Sequence, residues 1–272
     1  MKFSATVTLQ YDTPYSPFRA GEYEKSLGWL RDSGFDGAEI CISDYRQVDT
    51  AKLWGQLTSY GLECSTISTG QARGRENISL LQGGEAGEGA ARRLMEHIDA
   101  ASVLGGKVTL GLLRGQAGKL QEQEARKRLA DRLGRVLEYA GEKKVLVLIE
   151  AINRYETDVL NSAWETRDFI EKELAGAAGV GILWDTFHAN IEDACLAETI
   201  SIMGNRLAHV HLADSNRMFP GYGHLDFGEI FRELRRVGFE GYCSFECLNL
   251  PDAQTVRRQA GAFIRWAESV SG

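Results

Sequence analysis

The chain has 272 residues, long for one ordinary domain but within the usual size of a closed (β/α)8 barrel of about 250 residues. Hydrophobic residues make up 43% and charged residues 25%, a balance that can bury a core without disulfides or structural metals. With 31 Lys and Arg against 38 Asp and Glu the formal charge is −7, which argues against a general affinity for nucleic acid or anionic membranes.

The opening MKFSATVTLQ reads as a strand over Phe3–Gln10 and lacks the long apolar stretch of a signal peptide. A helical pattern over Tyr23–Asp32 follows, then candidate strands Gly37–Ile42 and Leu62–Thr69. Residues 83–89 are rich in glycine, but no strand precedes them and neither GxGxxG nor GxxxxGK is present, so they read as a flexible loop before a helix over Gly89–Leu104. Strand Lys107–Leu113, helix Glu122–Glu142, strand Val145–Glu150 and helix Asn161–Leu174 continue the alternation. Strands Val180–Asp185 and Ala208–Ala213, helix Phe227–Val237 and strand Tyr242–Glu246 complete it, before a last helix over Ala253–Ser269 behind Pro251 and Asp252. Such alternation implies a parallel sheet with right-handed crossovers. Eight units in this length predict one α/β domain over residues 1–272, a TIM barrel. A doubly wound open sheet would want a phosphate-binding glycine turn early in the chain, which is missing.

The run Val145–Ile149 is too short to cross a bilayer core of about 30 Å. Cys41, Cys64, Cys195, Cys243 and Cys247 form no CxxC pair, and reduced, mostly buried thiols in a cytoplasmic protein are expected.

Four apolar runs end in a costly residue. Val145–Ile149 stops at Glu150, Val180–Trp184 at Asp185, and Tyr242–Phe245 at Glu246, while Ala208–His211 alternates so that His209 and His211 share a face. The separations between Glu150, Asp185, His211 and Glu246 are 35, 26 and 35 residues, each near one βα unit of roughly 30. Consecutive strands therefore deliver them to the C-terminal face, where barrel enzymes keep their active sites. Any one alone fits a helix cap or a loop salt bridge. Four together would repel and resist desolvation without a cation. One divalent ion meets that need, and mostly oxygen donors with one nitrogen suit Mn²⁺ first, then Co²⁺ or Mg²⁺. Zn²⁺ stays among the alternatives, though it prefers sites richer in His and Cys. His209 is expected to be structural, one layer below the mouth.

Around these positions the chain resembles the xylose-isomerase-like barrels, specifically sugar isomerases and epimerases like the D-tagatose and D-psicose 3-epimerases. The likeness runs through Glu150-Ala151-Ile152-Asn153-Arg154-Tyr155-Glu156, Trp184-Asp185-Thr186-Phe187-His188, His209 to Arg217, Pro220 to Phe227 and Ser244-Phe245-Glu246, with Ser68 to Ala72 upstream. Ala151 stands where that family usually carries proline.

The resemblance implies that Glu150, Asp185, His211 and Glu246 are metal ligands. It also implies that Glu150 and Glu246 transfer protons through an enediolate, and that Glu156, His188 and Arg217 contact substrate. Glu156 and Arg154 can equally form an ion pair that shapes the loop, and His224 and Asp226 are expected to brace the Pro220–Gly223 turn. Tyr11, Tyr15 and Phe18 suit a cover over a sugar's apolar face or a packed lid. Arg114, closing the fourth strand, and Arg73 and Arg75 after the third fit a phosphate or carboxylate fork or plain rim charges. The expected partner is thus a small ketose or ketose phosphate, with a homodimer or homotetramer implied by the family. An aldose–ketose isomerase such as one acting on hydroxypyruvate, or an inosose dehydratase, would use the same site. A non-catalytic sugar-binding barrel remains a separate class. A barrel endonuclease would want a histidine-rich zinc cluster, and the chain has only five histidines.

Overall fold

Strands buried on both faces read as short apolar runs because one face meets the barrel interior and the other a ring of helices. A computed structural model describes residues 1–271; Gly272, the last residue of the expected domain, lies outside them. From the N-terminus run β1 (Lys2–Thr8), α1 (Tyr23–Ser33), β2 (Gly37–Cys41), α2 (Thr50–Ser59), β3 (Glu63–Ser68), α3 (Gly70–Glu76), α4 (Gly84–Leu104) and β4 (Lys107–Leu110). Then come α5 (Glu122–Lys143), β5 (Val147–Glu150), α6 (Ala163–Lys172), β6 (Val180–Asp185), α7 (Thr186–Glu192) and α8 (Leu196–Met203). The chain closes with β7 (Leu207–Leu212), α9 (Phe227–Arg236), β8 (Tyr242–Phe245) and α10 (Ala253–Ser271). The strands pair in sequence order, all parallel, and β8 returns to β1 through Lys2↔Tyr242 and Ala5↔Phe245, closing a (β/α)8 barrel. Helices α2, α3, α7 and α8 lie outside the helical patterns read from sequence. No described helix is long and apolar enough to cross a membrane.

Alternate strand residues sort into two environments. Phe3, Ala5, Val7, Ala38, Ile40, Val147, Ile149, Ile182, Trp184, Val210, Leu212 and Phe245 join the apolar core beneath the helices. The alternate set, including Ser4, Thr6, Glu39, Thr109, His209, His211 and Ser244, is buried too, so the barrel interior is unusually polar for a fold normally filled by branched apolar side chains.

The glycine-rich stretch is helical from Gly84 onward, not a loop. Its cause is packing: a side chain at Gly87 would collide with the Arg132 guanidinium, which reaches across to donate to Gln82 O at 2.6 Å. The turn at 220–223 is braced by Asp214, which accepts from the backbone N–H of Ser215, Gly221 and Leu225. Asp226 instead caps α9 through Glu229 N at 2.9 Å, and the N–H of His224 is spent on Ser215 Oγ. Four of the cysteines are buried, Cys195 is exposed, and none forms a disulfide.

Candidate metal centre and substrate pocket

Glu150 and Asp185 end β5 and β6, His211 sits near the end of β7, and Glu246 follows β8 by one residue. Register brings them level, with Asp185 opposite His211 and His211 opposite Ser244. His211 Nδ1 lies 3.5 Å from Glu150 Oε1, 3.7 Å from Asp185 Oδ2 and 3.3 Å from Glu246 Oε2. One donor atom from each of the four residues falls within 4.8 Å of all the others, so the structure assembles the expected set.

Asp185 divides its work. Its Oδ1 accepts from Phe187 N at 2.7 Å and His188 N at 3.3 Å, capping α7. Its Oδ2 is buried without a hydrogen-bond partner, as is His211 Nδ1 facing it. A bare carboxylate oxygen and a bare imidazole nitrogen, both dry, are costly unless a cation binds them. Three carboxylates and one imidazole within a few ångströms fit a divalent ion of hard or borderline character.

Charge around the centre is tightly linked. Burial alone would raise the Asp185 carboxyl, but His188, His211 and Arg217 hold it down at about 2. Burial pushes the Glu246 carboxyl up against the pull of His211, and nearby Glu150 and Glu39 add to the rise. Burial opposes a charged His211, yet Glu39, Glu246, Asp185 and Glu150 raise its pKa well above the ordinary value. His209, one layer lower, is pushed down by burial to about 4 and stays neutral. These directions belong to the protein residues alone; a bound cation would add the largest local charge.

Above the cluster opens a cavity of about 270 Å³, near the lower end of the roughly 300–1,000 Å³ of small-molecule sites. Glu150, Glu156, His188, His211, Arg217 and Glu246 line it together with Tyr11, Tyr15 and Arg75. The amide of Asn153 is fixed because its Oδ1 takes Tyr155 N at 2.9 Å, so its Nδ2 donates to His188 Nδ1 at 2.6 Å. His188 therefore carries its proton on Nε2, which sits 3.9–4.0 Å from Asp185 and Glu150 at the pocket floor. Arg217, in the left-handed region at φ 61°, points its guanidinium between the Tyr15 and Phe187 rings, 4.7 and 4.9 Å from their centroids. It meets Glu156 Oε1 at 2.6 Å and stands 3.8 Å from Glu246. Burial keeps the Tyr15 phenol protonated, its pKa pushed up to about 12.

Two expectations need correction. Arg114 is neither a rim charge nor an anion fork. The chain after β4 turns through a short 3-10 segment at Leu112–Arg114, and the fully buried guanidinium donates to the carbonyls of Gly111, Val159, Leu160 and Glu150. Arg154 pairs with Glu192 at 2.7 Å rather than with Glu156, which belongs to Arg217. Of the two readings open for the aromatics, Phe18 takes the packed one against Trp29, while Tyr11 and Tyr15 line the cavity. Arg73 bonds Asn77, whereas Arg75 stacks 4.1 Å over Tyr11 at the cavity wall.

Glu39 of β2 escaped sequence reasoning. Its side chain is fully buried, and its Oε2 lies 3.1 Å from His211 Nε2 and 3.3 Å from His209 Nε2. The available signal was one carboxylate in the middle of Gly37-Ala38-Glu39-Ile40-Cys41, an otherwise neutral strand.

Comparison with known proteins agrees with this architecture. The family model described as xylose isomerase-like TIM barrel matches residues 27–266. An L-ribulose 3-epimerase of Mesorhizobium japonicum is 31% identical over 255 residues, covering 92% of this chain and 84% of its own. A ketose 3-epimerase of Arthrobacter globiformis is 29% identical, covering 84% and 78% respectively. A solved structure of L-ribulose 3-epimerase superimposes with a TM-score of 0.84 at 26% identity, covering 99% of this chain and 95% of that one. The closed barrel, its strand-end cluster and the match over residues 27–266 together assign the chain to the xylose isomerase-like TIM barrel family.

Proposed function

We propose that this chain is a ketose 3-epimerase, acting on a free monosaccharide with one divalent metal, Mn²⁺ first in preference. The observation that carries the reading is the pair Glu150 and Glu246, approaching the same imidazole nitrogen at 3.5 and 3.3 Å from strands on different sides of the pocket. Relatives named as ketose 3-epimerases, matched over most of their length, point to the same chemistry. When bound, a divalent ion there supplies Lewis-acid polarisation of the substrate carbonyl and offsets the gathered carboxylate charge.

The protein's own groups do the rest. One glutamate takes the proton from C3 as its C–H electron pair moves into a C2–C3 double bond and the C2 carbonyl π pair moves onto O2, leaving an enediolate. The other glutamate returns a proton to the opposite face, inverting that carbon. Which glutamate removes the proton depends on the direction of reaction. His188 Nε2–H is aimed to hold an oxygen at the carbonyl end, and the Arg217–Glu156 pair presents a donor and an acceptor to hydroxyls. Tyr11 and Tyr15 cover the ligand and exclude water.

A free sugar is favoured over a phosphate for two reasons. Arg114 is spent on backbone carbonyls, and Arg217 is neutralised by Glu156. The test is turnover of free ketoses, ketose phosphates and inososes by metal-stripped protein with and without Mn²⁺. A C3 epimer of a free ketose is expected. An aldose would mark a C1–C2 isomerase and loss of water a dehydratase, and either would overturn the reading.

A further inference from the structure

Resting on the reading of Glu150, Asp185, His211 and Glu246 as a cation site, we infer that Glu39 is a positioning residue that sets the tautomer of His211. Three carboxylates surround His211 Nδ1 at 3.3 to 3.7 Å. Left alone they favour a proton on Nδ1, the tautomer that cannot bind a metal through that atom. Glu39 supplies the opposing pull. Its Oε2 faces His211 Nε2 at 3.1 Å from the far side of the ring. An ionised carboxylate only accepts, so it draws the ring proton onto Nε2 and leaves the Nδ1 lone pair for the cation. Metal-binding histidines are commonly oriented by a carboxylate on their other nitrogen in this way.

Glu39 is not a fifth ligand of the same ion. The donor atoms that converge above it come from Glu150, Asp185, His211 and Glu246, while Glu39 clusters separately with His209 and His211. In that second cluster the hydrogen bond to Glu39 Oε2 comes from His211 Nε2, while His209 Nε2 stands 3.3 Å from the same oxygen outside hydrogen-bond geometry. His209 flanks the buried carboxylate on that side, the two side chains both fully buried. Backbone register supports the geometry, since Glu39 pairs with Thr6 on one side and Thr66 on the other, which aims its side chain into the barrel.

The experiment measures Mn²⁺ affinity of metal-stripped wild type, Glu39→Gln and Glu39→Ala by EPR titration, alongside their metal-free unfolding. Both variants are expected to bind about 10–100-fold more weakly, the usual effect of losing such a partner. Glu39→Gln keeps the shape of the side chain and carries the test even where Glu39→Ala does not fold. Imidazole ¹⁵N spectra of Zn²⁺-loaded protein give a readout that a packing role would not move: His211 should hold its proton on Nε2 in wild type and lose that fixed tautomer in Glu39→Gln. Folded Glu39→Gln with wild-type Mn²⁺ affinity and an unchanged His211 signature would overturn the inference alone. Wild type that binds no Mn²⁺ would overturn the cation site and this inference with it.

Discussion

Replacing Arg114 with methionine keeps the length of the stem and removes every donor. Four buried carbonyls then lose a donor: those of Gly111 and Leu160 keep the backbone N–H of Arg114 and Ile152 at 3.2 and 3.5 Å, while those of Val159 and Glu150 go unpaired. Each unsatisfied buried group costs about 1–3 kcal/mol and each shared bond lost about 1 kcal/mol, so the gross loss is roughly 6 kcal/mol. Part of it is returned, because burial works against the cation and lowers its pKa to about 10, a cost of about 3 kcal/mol that the variant no longer bears. Relaxation of the freed loop trims the balance further, leaving a net destabilisation of about 2 kcal/mol, within the usual range for a single substitution. At about 2 °C per kcal/mol for a chain of this size, Tm should fall by about 4 °C. Thermal unfolding of the metal-free proteins followed by circular dichroism measures it. Arg114→Met with unchanged Tm and a selective loss of activity on phosphorylated ketoses would refute the assignment, since it would mean the guanidinium reaches the pocket.

Glu246→Gln should lower kcat by about 10²–10⁴-fold, the scale of one general acid–base group, with far-ultraviolet circular dichroism unchanged. Turnover at the wild-type rate would remove Glu246 from proton transfer. Adding Mn²⁺ at 100 times its Kd to stripped protein should stabilise the fold by about 2.7 kcal/mol, or about 5 °C in Tm, and a flat Tm across the titration would contradict the cation site. Asp44 caps the turn after β2 and meets Arg46 at 2.8 Å and Arg93 at 3.3 Å, and Arg46 is the main cause of its lowered pKa. A carboxyl whose folded pKa lies below its unfolded value stabilises fully above the unfolded value, near 4, and loses that contribution as pH falls further. Asp44→Asn should therefore cost about 1 kcal/mol at pH 7 in urea unfolding, a penalty that begins to shrink below about pH 4 and disappears only as pH falls through the lowered folded pKa; a penalty independent of pH would contradict it.

The barrel was legible because its strands are short apolar runs at regular spacing, and the cluster of Glu150, Asp185, His211 and Glu246 because an ionisable residue stands at or beside the end of four of them. Both signals are local. Glu39 carries no such signal: it sits mid-strand, and its partner His211 is 172 positions away in sequence. Arg114 misleads for the opposite reason. Its place after β4 suggests the mouth, but a single 3-10 turn redirects the side chain into carbonyls from the loop after β5, which only the folded backbone supplies. The pairing of Arg154 with Glu192 rather than Glu156 likewise depends on α7 lying beside that loop. The helical start at Gly84 needed the position of Arg132 on α5 to explain why glycine suits a helix there.

The most direct test of the account is proton exchange at carbon. Mn²⁺-loaded protein would be incubated with free ketoses in D₂O and followed by NMR, with Glu150→Gln and Glu246→Gln in parallel. Epimerisation between two glutamates requires deuterium at C3 of the product, with Mn²⁺-dependent formation of the C3 epimer and its loss in both variants. Epimer formed with no deuterium at C3, or exchange confined to C1, would contradict the two-glutamate mechanism at this site.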